Sequence, residues 1–157
     1  MWALCEKLGV QSGFARGDAA ACALAASLAE LPLQELRLEL RQNEIGAEGA
    51  QALAAAIAKL PQLQKLELFL IDNSLGDVGA RALAASLAEL PLQELQLNLL
   101  LNKIGDDGAR ALAAAVAQLP LRKLELDLRH NSLRDEVKEE LRGQLDALPI
   151  PEKDIEI

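Results

Sequence analysis

The sequence predicts an α/β fold, a right-handed β-α solenoid that puts a parallel sheet on its concave face and helices on its convex face. Three observations lead there. Residues 92–108, LQELQLNLLLNKIGDDG, return in register at 33–49 and 63–79, and again from Leu121 with the glycines replaced. Asn43, Asn73, Asn102 and Asn131 mark the beat at separations of 29 to 30 residues, the length at which one strand and one helix make a stackable unit. Within each unit, hydrophobicity runs first with period two and then at three- and four-residue spacing.

Taken in order, residues 1–16 fit the repeat poorly, although Trp2, Leu4, Leu8, Val10 and Phe14 are placed to cover the open end of the first helix. They are read as an N-terminal cap or a degenerate unit. Residues 17–133 form the repeats, and 134–157 a C-terminal cap helix with a short last strand, the whole being one domain. Leu24, Leu53, Leu83, Leu112 and Leu141 each stand eight residues before a proline, at 32, 61, 91, 120 and 149, and the helices are expected to end at those prolines. In the third helix Ala80, Leu83, Leu87 and Leu90 make one apolar stripe, with Arg81 and Glu89 outward. After each proline comes an alternating segment, such as Leu66-Glu67-Leu68-Phe69-Leu70, whose leucines face inward. Ile155-Glu156-Ile157 falls at the matching offset and adds a fifth strand. Strands joined through helices must pair in parallel with a right-handed crossover. Strands stack about 4.8 Å apart and helices about 8 to 10 Å, so the sheet side curves inward.

Composition narrows the function classes. The hydrophobic share of 51% is mostly Leu and Ala, with no Tyr, two Phe and one Trp among 157 residues, so aliphatic side chains must fill the interior. A net charge of -8, about half of it in residues 134–157, disfavours nucleic acid and anionic membrane surfaces as partners. No basic leader with an apolar run opens the chain, and no stretch of about 18 apolar residues occurs, so a cytoplasmic or organellar location is the default. Cys5 and Cys22 are either reduced thiols or one disulfide.

LxxLxL followed by NxIG, GDxGA, an Ala/Leu helix and LP resembles the ribonuclease-inhibitor-like class of leucine-rich repeat proteins over residues 17–149. The resemblance implies the same arc and does not choose a partner. Here the usual LxxLxLxxN is two residues longer, LxxLxLxLxxN, which predicts one extra in-out pair per strand and a wider concave sheet.

The asparagines are read as structural, their buried amides satisfying backbone groups where the strand bends. Gly46, Gly76 and Gly105 are expected to permit the turn, Asp77 and Asp106 to cap the helix that follows, and Gly49, Gly79 and Gly108 to allow close approach, with Ala20 and Val137 replacing them in the terminal units. These segments lack the residues of a phosphate or calcium loop. His130 is the only histidine, so neither a histidine-built zinc site nor a serine-type triad can be assembled. No catalytic residue, cofactor or metal ligand emerges. Cys22 aligns with polar positions, so it is expected to be covered or paired with Cys5 rather than free.

Four outward columns vary from unit to unit while the leucines between them do not. One holds Arg37, Glu67, Gln96 and Glu125; the next Glu39, Phe69, Asn98 and Asp127; a third Arg41, Ile71, Leu100 and Arg129; the rim Gln42, Asp72, Leu101 and His130. Phe69, Ile71, Leu100 and Leu101 are expected to form one exposed apolar patch flanked by Arg37 and Arg41 on one side and Asp127 and Arg129 on the other, the composition of a protein-binding surface. The alternative is that the longer segment bends and tucks Ile71 or Leu100 inside. The reading is a non-enzymatic interaction module that takes a protein or peptide on its concave sheet. Its rivals are a regulator of a small GTPase, which the resemblance also includes, and a self-associating or engineered scaffold with no natural ligand. A monomer is expected, with weak self-association the alternative.

Overall fold

The computed structural model describes residues 16–28 and 31–157. The cap built on Trp2 and the partnership of Cys5 with Cys22 lie outside the described residues. Helices and strands alternate: α1 (Asp18–Leu28), β1 (Glu35–Glu39), α2 (Ala47–Ile57), β2 (Lys65–Phe69), α3 (Gly76–Leu87), β3 (Glu94–Asn98), α4 (Asp106–Val116), β4 (Lys123–Asp127), α5 (Asp135–Asp146) and β5 (Glu152–Glu156). The strands form one parallel sheet in chain order. Leu36, Leu66, Leu95 and Leu124 share one register position, and Leu38, Leu68, Leu97 and Leu126 another.

Each strand buries its leucines because alternation aims them at the helix layer, and all eight of these are at most 3% exposed. Beyond each strand the ladder continues, with Leu40 and Gln42 donating to Phe69 and Ile71, and Leu70 and Asp72 to Asn98 and Leu100. The helices close the other side. Leu53, Leu83, Leu112 and Leu141 are fully buried, and small residues bring neighbouring helices together: a Cβ added to Gly79 would lie 2.9 Å from the Ala50 methyl. α5 packs less closely on α4 than the earlier helices pack on one another, since Val137 stands where α2, α3 and α4 carry glycine. The result is the right-handed β-α solenoid, with the sheet on the concave side.

Two expectations need correction. The helices do not run to their prolines. They stop three or four residues earlier and finish in a tighter turn, in which Leu60, Leu90 and Leu119 donate to Ile57, Leu87 and Val116. Nor do the acidic residues cap their own helices. Asp77 lies in the first turn of α3, and its Oδ1 accepts from the amides of Gly105 and Gly108 at the start of α4, at 2.7 and 3.0 Å. Asp18 does the same for Gly46 and Gly49, and Asp106 for Arg134. Each carboxylate thus sits at the positive end of the next coil's helix and ties two coils together.

Candidate functional site

The outward side chains of the five strands stand in straight columns because the register is unbroken: Arg37, Glu67, Gln96, Glu125 and Asp154 in one, and Glu39, Phe69, Asn98, Asp127 and Glu156 in the next. Most charges on this face are paired within it. Arg37 reaches Glu67 at 2.6 Å and Glu39 at 2.5 Å, Arg41 also meets Glu39, and Lys65 bridges Glu67 and Glu94. Lys123 holds Glu125, and Arg129 holds both Asp127 and Glu156. Burial pushes the Glu67 carboxyl up, yet hydrogen bonds from Lys65 and Arg37 outweigh it and hold the group below the usual carboxylate range. Asp127 behaves alike: burial raises it, while Arg129, through side chain and backbone, and Asn98 bring it down.

The apolar patch is smaller than its sequence suggested. Phe69 is only 7% exposed, because the guanidinium carbons of Arg37 and Arg41 lie 5.0 and 5.4 Å from its ring centroid. The flanking arginines thus cover the ring instead of framing it, an arrangement favoured by cation–π attraction and by their aliphatic stems. Ile71 and Leu100 are half-buried, neither fully open nor tucked inside, and Leu101 is 46% exposed. Gln96 and Asn98 are half-buried, while Arg37, Glu39, Arg41 and Arg129 are exposed. Cys22 is half-buried and unpaired among the described residues.

The turns beyond the strands follow from backbone geometry. Gln42, Asp72, Leu101 and His130 occupy equivalent positions with φ of 53°, 54°, 59° and 54°. This left-handed corner lets the next residue, an asparagine, point back under the strands. Asn73 Oδ1 accepts from the Asn43 and Ile45 amides while its Nδ2 donates to the Leu40 and Leu70 carbonyls, and Asn131 repeats the pattern. Asn102 donates to the Leu70 and Leu100 carbonyls, but its fully buried Oδ1 has no partner.

Between the turns lies an open depression of about 390 Å³, lined by Glu44, Asp72, Asn73, Ser74, Leu101, Lys103, His130, Asn131 and Ser132. Of these, sequence reasoning passed over Glu44, Ser74, Lys103 and Ser132. The signal was available, because Glu44, Ser74, Lys103 and Ser132 share one repeat position, directly after the asparagine. Among the described residues no group of three or more His, Cys, Asp and Glu side chains is placed to hold a metal ion, and no helix is long and apolar enough to cross a membrane.

Two segments of the chain, residues 36–54 and 93–113, match the family model described as Leucine Rich repeat. Each covers a strand from its first or second position, the asparagine turn and the greater part of the following helix. No curated protein matches the chain.

Proposed function

We propose that this leucine-rich repeat protein is a non-enzymatic interaction module of the ribonuclease-inhibitor-like class, taking a protein or peptide on the outward face of its sheet. Leucine-rich repeats generally mediate protein–protein interaction, and the finer reading rests on one observation. Side chains that differ from coil to coil are held in straight columns on a rigid sheet, while in β1 to β4 the residues between them are the same buried leucine each time. A scaffold of this kind changes its surface without changing its core.

The face is suited to orienting a partner. Arg37, Glu67, Asp127 and Arg129 are fixed by mutual ion pairs, so little side-chain freedom is lost when they are covered. Such charges set orientation and encounter rate more than affinity, which falls to the apolar groups at the end of the columns. Gln96 lies at the centre of the face and makes no side-chain hydrogen bond among the described residues, which makes it the cleanest probe. Affinity capture from the source cell with Gln96→Arg and wild type, quantified by mass spectrometry, tests the reading. A protein retained by wild type is expected to fall at least tenfold on the variant, with stability changed by no more than about 0.5 kcal/mol. Equal capture by both would place binding elsewhere.

A further inference from the structure

We propose that the outer edge of β5 takes an extended segment of a protein partner as a sixth strand, and that this segment alternates Lys or Arg with apolar residues. The site is the edge of the sheet and not its outward face, so it stands or falls apart from the reading above. Among the described residues β5 pairs with β4 alone. The Glu152 amide donates to the Arg122 carbonyl at one end of β5, and the Glu156 carbonyl accepts from the Leu128 amide at the other. Main-chain groups of a strand point the same way at every second residue, so Lys153 and Ile155 direct theirs away from β4. Such an edge is a template for strand addition, in which main-chain bonds supply affinity and alternate side chains supply specificity.

Side chains choose the occupant. The outward column at the start of the strands reads Glu35, Lys65, Glu94, Lys123 and Glu152, so every in-register pair along it is of opposite charge. Glu152 has such a neighbour on one side only, and a Lys or Arg on an added strand continues the ladder. In the next column Asp154 stands beside Glu125, which Lys123 already holds at 2.8 Å. Glu152 and Asp154 are exposed and have no ion pair among the described residues, whereas Arg129 serves Glu156. Lys153 and Ile155 occupy the positions at which β1 to β4 bury leucine, yet both are only half-buried. The Lys153 ammonium donates to the Asp146 and Leu148 carbonyls at 2.5 and 2.8 Å, so its charge is satisfied within the chain. Apolar residues between the basic ones would cover Ile155 and the Lys153 stem. A second copy of the chain fits poorly. Stacking its β1 in the same register sets Glu35 against Glu152 and Glu39 against Glu156, with only Arg37 against Asp154 in favour.

Two short acetylated peptides test the proposal, one alternating lysine with valine and the other glutamate with valine, each titrated into the full chain at near-physiological salt. The lysine peptide is expected to slow hydrogen exchange at the Lys153 and Ile155 amides at least tenfold, and the glutamate peptide to leave both unchanged. With Glu152→Lys and Asp154→Lys combined, the lysine peptide should lose at least tenfold in affinity and the glutamate peptide should now protect the two amides, a reversal that a misfolded variant could not show. A lysine peptide that binds the wild type without protecting those amides, or binds the double variant within twofold of wild type, would overturn the proposal, since attraction to the net charge would account for it. Failure of the lysine peptide to bind the wild type would overturn it equally. Protection of both amides on raising the concentration of the chain alone would put a second copy on the edge and overturn the choice of occupant.

Discussion

Asn73 and Asn102 stand at equivalent positions one coil apart, yet they bond differently. Asn73 serves two amides and two carbonyls, while Asn102 serves two carbonyls and leaves its Oδ1 unpartnered. Replacing Asn73 with Ala strands three backbone groups, the Asn43 and Ile45 amides and the Leu40 carbonyl, since the Leu70 carbonyl keeps its bond from Asn102. At about 1 to 3 kcal/mol for each buried unsatisfied group it is expected to destabilise by about 3 kcal/mol or more. Asn102→Ala should cost about 1 to 2 kcal/mol less, because its acceptor contributes nothing to be lost. Urea unfolding of the pair measures the gap, and equal losses would mean that the two turns are alike. The structural role of the asparagines was legible from their spacing. The orphaned acceptor was not, because it depends on the backbone of the preceding turn, where the sequence differs by little. Phe69 teaches a similar lesson: the sequence placed it on the outward face, but the Arg37 and Arg41 side chains that bury it come from the neighbouring strand and the turn after it.

At the scale of elements, the loops leading into α1 to α4 come in two forms that alternate along the chain. Gly17 and Gly76 adopt positive φ, at 76° and 58°, and donate to the Asn43 and Asn102 carbonyls of the following coil. In the intervening coils Glu44 and Lys103 take the left-handed conformation, at 58° each, and Gly46 and Gly105 are extended. The three glycines in the NxIG-type turns read alike in sequence, so this alternation was hidden; only Gly76 is there for its dihedral freedom. Gly108 is needed for space, since a Cβ on it would lie 2.6 Å from the Asp77 carboxylate and 2.9 Å from the Ala80 methyl. Gly108→Ala is therefore expected to destabilise by about 2 kcal/mol through overpacking, and Asp77→Ala by about 1 to 2 kcal/mol through the lost cap. The double variant should cost less than the sum, because the alanine methyl no longer meets a carboxylate. Strict additivity in thermal unfolding would show that the cap and the close approach are separate devices.

Across the whole molecule, the period of the leucines defined the architecture: once one strand and one helix are assigned, the repeat assigns the rest and only parallel stacking can bury every stripe. The replacement of glycine by Val137 was visible in the sequence, but the looser packing of α5 on α4 emerged only from the structure. What the period could not supply is how open each outward residue is, since that depends on side chains reaching across coils. Among the described residues the two most exposed large apolar side chains, Leu101 at 46% and Val78 at 45%, lie on different parts of the molecule, one at the end of the sheet columns and one on α3 of the helix layer. Hydroxyl-radical footprinting with and without the captured partner compares the two surfaces in one sample. Binding through the sheet side predicts that oxidation of Leu101, and with it Leu100 and Ile71, drops several-fold while Val78 is unchanged. Protection of Val78 with Leu101 still fully reactive would contradict the account.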